Sequence, residues 1–124
     1  MKIAISALGA DLESLVDPRF GRAQYFIFLD TETMEFEAVS NKSAGGAQHG
    51  AGIQTSQLMS EKGVTAIITG NVGPNAFQTL AAAEINVFTA NKVSVQQAVD
   101  AFKNNELKQI SQSGPAHAGM GGGN

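Results

Sequence analysis

His49 stands in a run of small residues, Gly45-Gly46-Ala47-Gln48-His49-Gly50-Ala51-Gly52, that leads into an apolar-striped segment. An imidazole is a nitrogen ligand for metals, and glycines let backbone N–H groups turn toward a bound group without a Cβ in the way. A helix beginning directly after such a loop adds unpaired N-terminal donors, so Gly46, Gly50 and Gly52 form a candidate cradle. One imidazole beside several N–H donors suits an anionic metal–sulfur cluster: nitrogen for the metal, amides for its sulfides. A second small-residue loop, Gly70-Asn71-Val72-Gly73-Pro74-Asn75, follows an apolar run. Open α/β sheets hold ligands just beyond their strand ends, so Asn71, Gly73 and Asn75 are expected to share one site with His49. Arg19 and Arg22 lie in Asp17-Pro18-Arg19-Phe20-Gly21-Arg22-Ala23 and carry the side chain suited to planar anion recognition. His117 and Met120, near the C-terminus, are further candidates to reach over a bound cluster.

Each feature also has a plainer reading. A lone histidine is commonly a hydrogen-bonded loop residue, Asp17 can pair with one arginine while Phe20 fills the core, and a Gly-rich end can be an unused low-complexity segment. A nucleotide or phosphometabolite could use the same crevice, with Arg19 and Arg22 on its phosphates. A ligand-free protein-interaction domain is the third function class. Catalysis has less to stand on. There is no nucleophile elbow, Walker loop or His-Glu-x-x-His pattern, and the first strand, Lys2-Ile3-Ala4-Ile5-Ser6-Ala7, has no carboxylate for two-metal chemistry. A binding protein is therefore expected, not an enzyme.

A chain of 124 residues with 43% hydrophobic content suffices for one core without staples. Cysteine is absent, so disulfides and thiolate ligation within the chain are excluded. A net charge of -3 gives no long-range pull on nucleic acid. No apolar stretch is long enough to span a bilayer and no signal-peptide core opens the chain, so a cytoplasmic location is expected. Strands are expected at Lys2–Ala7, Tyr25–Leu29, Glu35–Val39, Val64–Thr69 and Asn86–Ala90, with an edge strand over Leu107–Ser111. Helical spacing puts Ala51, Thr55, Leu58 and Met59 on one face, then Ala76, Phe77, Leu80 and Ala83, then Val95, Ala98, Val99 and Phe102. Ser94 with Gln97 forms a capping box, Pro74 suits a first helical position, and Lys62-Gly63 is a C-terminal stop. The result is a single α/β domain with a mixed sheet: an antiparallel hairpin on one side, parallel α/β units on the other, and helices over at least one face. This order resembles a ribonuclease H-like fold. Residues 1–112 are expected to form the domain and 113–124 a flexible Gly/Met-rich tail.

Taken together, Asp17-Pro18-Arg19-Phe20-Gly21-Arg22-Ala23, His49-Gly50-Ala51-Gly52, Ile68-Thr69-Gly70-Asn71-Val72-Gly73-Pro74-Asn75-Ala76 and the Gly/Met tail resemble the dinitrogenase iron-molybdenum cofactor biosynthesis family. The resemblance covers nearly the whole chain. It implies a ribonuclease H-like domain that binds or carries iron-molybdenum cofactor or an iron-sulfur precursor, working with cofactor-assembly proteins, while charge and hydropathy argue for neither nucleic acid nor membrane as partner. It also implies a histidine ligand, a role His49 can take, and carries Arg19 and Arg22 over as contacts to the anionic cofactor. Glu84 departs from the family pattern, since a glycine is expected to close the second helix there. Without cysteine, binding should be exchangeable, as suits a carrier.

Overall fold

The computed structural model describes residues 1–41 and 51–110, the side chains of 51–54 excepted. The central strand β1 (Lys2–Ala7) alternates strictly: Ile3 and Ile5 face one side of the sheet and Ala4 the other, all fully buried. β2 (Tyr25–Asp30) pairs antiparallel with β1 and repeats the alternation, with Phe26 and Phe28 on Ala4's side and Ile27 and Leu29 on Ile3's. β3 (Phe36–Ser40) completes the hairpin at the sheet edge and is half exposed, with Phe36, Glu37 and Ser40 open to solvent. A helix, α1 (Ala51–Glu61), leads into β4 (Ala66–Thr69), α2 (Pro74–Ala82), β5 (Asn86–Thr89), α3 (Val95–Lys103) and β6 (Lys108–Ile110). The strands form one sheet in the order β3-β2-β1-β4-β5-β6. β4 is parallel to β1 and β5 to β4, whereas β6 runs antiparallel to β5. Among the described residues this is an α/β domain of six strands and three helices.

Helices cover both faces, more than the sequence required. Met59 of α1 and Ala76 and Leu80 of α2 pack on Phe26, Phe28, Ile67 and Val87, while Val95, Ala98 and Val99 of α3 pack on Ile3, Ile5, Ile27 and Ile68. Phe20 joins the first cluster, its ring edge-on to Phe26 at 5.4 Å. Three expectations need adjusting. Ala83 is exposed because α2 ends at Ala82 and Ala83 caps it. Thr65 is exposed too, since β4 starts only at Ala66. Phe102 is only partly buried, its ring set edge-on to Phe88 at 5.1 Å.

Parallel pairing gives β1, β4 and β5 a common polarity. β1, β4 and β5 all finish at one end of the sheet, the end of Ala7, Thr69 and Thr89. Both α2 and α3 begin there, and α1, which precedes β4, starts toward it as well. No described helix is long and apolar enough to cross a membrane.

Candidate functional site

At that end the chain after β1 returns through Asp17, and the loop after β4 meets it. Ser6 Oγ donates to the Asp17 carbonyl at 2.7 Å and lies 2.8 Å from Thr69 Oγ1. A serine has one hydroxyl proton, so Thr69 donates to Ser6, and the last turns of β1 and β4 are pinned to the loop. Arg19 and Asn71 then form a parallel bridge. Gly70 makes this possible: a Cβ there would lie 2.5 Å from Pro18 Cα and 2.9 Å from Pro18 O, and would also run into Asn91 Oδ1. The glycine is demanded by close approach of two backbones.

The Asp17 carboxylate is the hub. It is completely buried, and it accepts from Arg19 Nε and Nη2, both at 3.1 Å, and from the backbone N–H groups of Arg19 at 2.9 Å and Gln24 at 3.0 Å. Burial by itself would favour the protonated acid, but these donors, led by the Arg19 guanidinium, outweigh it and hold the carboxyl below its ordinary range. The same bonds raise Arg19 further, so it is permanently cationic. The Arg19 side chain nevertheless remains 53% exposed. With Arg22, Ala23, Gln24, Tyr25, Ser40 and Asn41 it lines an open groove of about 390 Å³. Asn41 shapes this wall: its Nδ2 donates to the carbonyls of Gly21 at 3.2 Å and Ala23 at 3.0 Å, closing the turn that carries Arg22.

On the other side of the bridge lies the start of α2. Asn71, Gly73, Pro74 and Asn75 are all exposed. Gly73 is the N-cap at φ -74° and ψ 167°, with no side-chain cap. Its Cβ would meet nothing within 4 Å among the described residues, so neither conformation nor packing there asks for glycine. Pro74 has no N–H, and the N–H groups of Asn75 and Ala76 find no acceptor among the described residues. Asn71 spends its Oδ1 on the N–H of Val72, 3.0 Å away.

The sequence-predicted residues thus divide. Arg19, Arg22, Asn71, Gly73 and Asn75 come together at one end of the sheet. Gly46, His49, Gly50, His117 and Met120 lie outside the described residues, and of Gly52 only its place in the first turn of α1 is described. The plainer reading of Asp17 and Phe20 holds: Asp17 pairs with Arg19 and Phe20 is 3% exposed. Sequence reasoning missed Tyr25, Ser40 and Asn41 as groove walls and Asn91 as a neighbour of Gly70. The only signal for Asn41 was a polar residue at the end of β3. Among the described residues no three histidine, cysteine or acidic side chains gather as a metal site.

The profile of the family described as Dinitrogenase iron-molybdenum cofactor matches residues 1–105. The orange protein from Desulfovibrio gigas, solved in its apo form, is 40% identical and superposes with a TM-score of 0.88 over 91% of this chain and 95% of its own. A Thermotoga protein proposed as a NifB protein and placed in the DUF35 family is 41% identical, with a TM-score of 0.80 over 91% of this chain and 96% of its own. An uncharacterised protein of Methanocaldococcus jannaschii is 31% identical over 113 residues, 89% of this chain and 94% of that protein.

Proposed function

Because the chain belongs to the dinitrogenase iron-molybdenum cofactor family, we propose that it binds and carries an anionic metal–sulfur cofactor as cargo in cofactor assembly or trafficking. The cargo is iron-molybdenum cofactor or an iron-sulfur precursor. The protein acts as a cytoplasmic carrier that hands the group to assembly proteins and catalyses no reaction on it. The order of strands, hairpin first and parallel units after, supports reading the domain as ribonuclease H-like.

The observation that carries the proposal is the uncapped start of α2. The N–H groups of Asn75 and Ala76, which find no acceptor among the described residues, follow an N-cap glycine at the positive end of a helix, and Asn71 just before them is bridged through its backbone to Arg19. Those are donors for sulfide or carboxylate oxygen, and they fit an anionic group. Arg19, Arg22 and the Asn75 and Ala76 amides hold the cargo's charge in this reading, and Asn71 borders it. His49 supplies the imidazole that takes a metal position, and Gly46, Gly50 and Gly52 let its loop approach. His117 and Met120 are lesser candidates for the open side.

Anaerobic titration with isolated iron-molybdenum cofactor, followed by gel filtration, tests this. Cofactor absorption should comigrate with the parent protein. His49→Ala should lose most of it while the circular dichroism and unfolding midpoint stay unchanged, and binding should weaken as pH falls through the imidazole pKa, about 6.5 when unperturbed. Saturable nucleotide binding without cofactor uptake would replace this reading with a phosphate-binding one.

A further inference from the structure

We infer that Asp17 is a positioning residue for anion binding: its buried carboxylate takes the Nε–Nη2 edge of Arg19 and turns the guanidinium's other donors out into the groove of Arg22, Tyr25 and Asn41. The inference rests on reading this end of the sheet as an anion site. A guanidinium has five N–H donors in a rigid plane, and a bidentate carboxylate occupies one edge of it. Here that carboxylate cannot swing, since Oδ1 also accepts the Arg19 N–H and Oδ2 the Gln24 N–H. The Arg19 side chain is therefore ordered before any ligand arrives, although it is half exposed. A free surface arginine would lose that rotamer freedom on binding. Gln24 ties the same carboxylate to the turn carrying Arg22, and Asn41 closes that turn from the other side, so both guanidinium groups stand on one hydrogen-bonded frame.

Positioning and charge predict opposite signs. Removing the carboxylate's charge leaves the groove more positive, so if charge alone mattered, Asp17→Asn would bind anions more tightly. If positioning matters, it binds them more weakly.

The test is calorimetric titration with molybdate, well below every variant's unfolding midpoint, on the parent, Asp17→Asn, Arg19→Ala and the double variant. We expect Asp17→Asn to weaken binding about tenfold, and the same substitution to change nothing once Arg19 is alanine. Equal or tighter binding by Asp17→Asn overturns the inference. So does an equal loss in the Arg19→Ala background, which would mark a general effect on the fold, and so does a parent that does not bind molybdate. Iron-molybdenum cofactor uptake indifferent to Asp17→Asn would overturn the inference and leave the carrier reading standing, whereas a parent binding neither probe removes both.

Discussion

Two helices begin at the same end of the sheet with nearly the same N-cap conformation, and they treat their exposed donors in opposite ways. Ser94, at φ -75° and ψ 162°, accepts from the Gln97 N–H while the Gln97 side chain accepts from the Ser94 N–H. The N–H groups of Val95 and Gln96 are taken by the carbonyls of Ser14 at 2.8 Å and Leu12 at 2.9 Å. The start of α3 is closed by its own side chains and by the loop after β1. Gly73, at φ -74° and ψ 167°, has backbone geometry that a serine cap would tolerate, yet it has no side-chain cap and, among the described residues, nothing accepts from the amides of Asn75 and Ala76. Identical geometry with opposite chemistry points to a use for the α2 start that self-capping would block.

The largest expected effect comes from dismantling the frame that holds that start in place. Gly70→Ala forces a Cβ into the Pro18 backbone, which has no side-chain flexibility to yield. A loss of about 3 kcal/mol in urea unfolding is expected, in the range of overpacked sites. A loss below about 0.5 kcal/mol would mean that the two loops are not held in contact in solution.

Asp17→Asn comes next, at about 2 kcal/mol, because two backbone donors and a guanidinium lose a charged acceptor, tempered by the exposure of Arg19. Its pH signature is specific. A carboxyl whose folded pKa lies below the unfolded value of about 3.8 adds stability that is complete above that value and vanishes as pH falls through the folded one. The parent should therefore lose part of its stability below about pH 4, and the asparagine variant should lose less over that window. Parallel acid titration curves for the two proteins would count against the hub role.

Ser94→Ala should cost about 1 kcal/mol, the usual value of a cap, and leave cofactor binding untouched because that helix start is already closed. Weakened cofactor uptake in this variant would erase the distinction between the two helices.

The smallest change in stability carries the sharpest information. Gly73→Ser should be neutral or stabilising by a few tenths of a kcal/mol, since a serine cap is slightly better than glycine, and a Cβ there meets no described residue within 4 Å. It should nonetheless weaken cofactor binding, because the new hydroxyl would occupy an α2 amide. A stabilised variant that binds normally would show that the amides are not used.

What could be read from the sequence was whatever is written within a few residues. The Ser94–Gln97 capping box, Pro74 at a helix start, the hairpin of β2 and β3 and the alternation of β1 follow from local spacing, because helix and strand periods are short. Glu84, where the family pattern led to the expectation of a glycine, adopts the left-handed conformation at φ 62°. Local composition marked Asn71, Gly73 and Asn75 as one loop, expected to share a site with His49, and marked Arg19 and Arg22 by side-chain type as anion contacts. Tertiary structure alone decided which glycine is forced and which is free. Gly70 and Gly73 look alike in the chain, but Pro18 and Asn91 crowd one, and no described residue comes within 4 Å of a Cβ on the other. It alone brought Ser6 onto Thr69, 63 residues away, set Asp17 beneath Arg19, and put Tyr25, Ser40 and Asn41 into the groove. Those relations depend on where β1, β4 and the hairpin meet in the sheet, and a sequence period of two or 3.6 residues says which face a side chain takes but not which strand lies beside it.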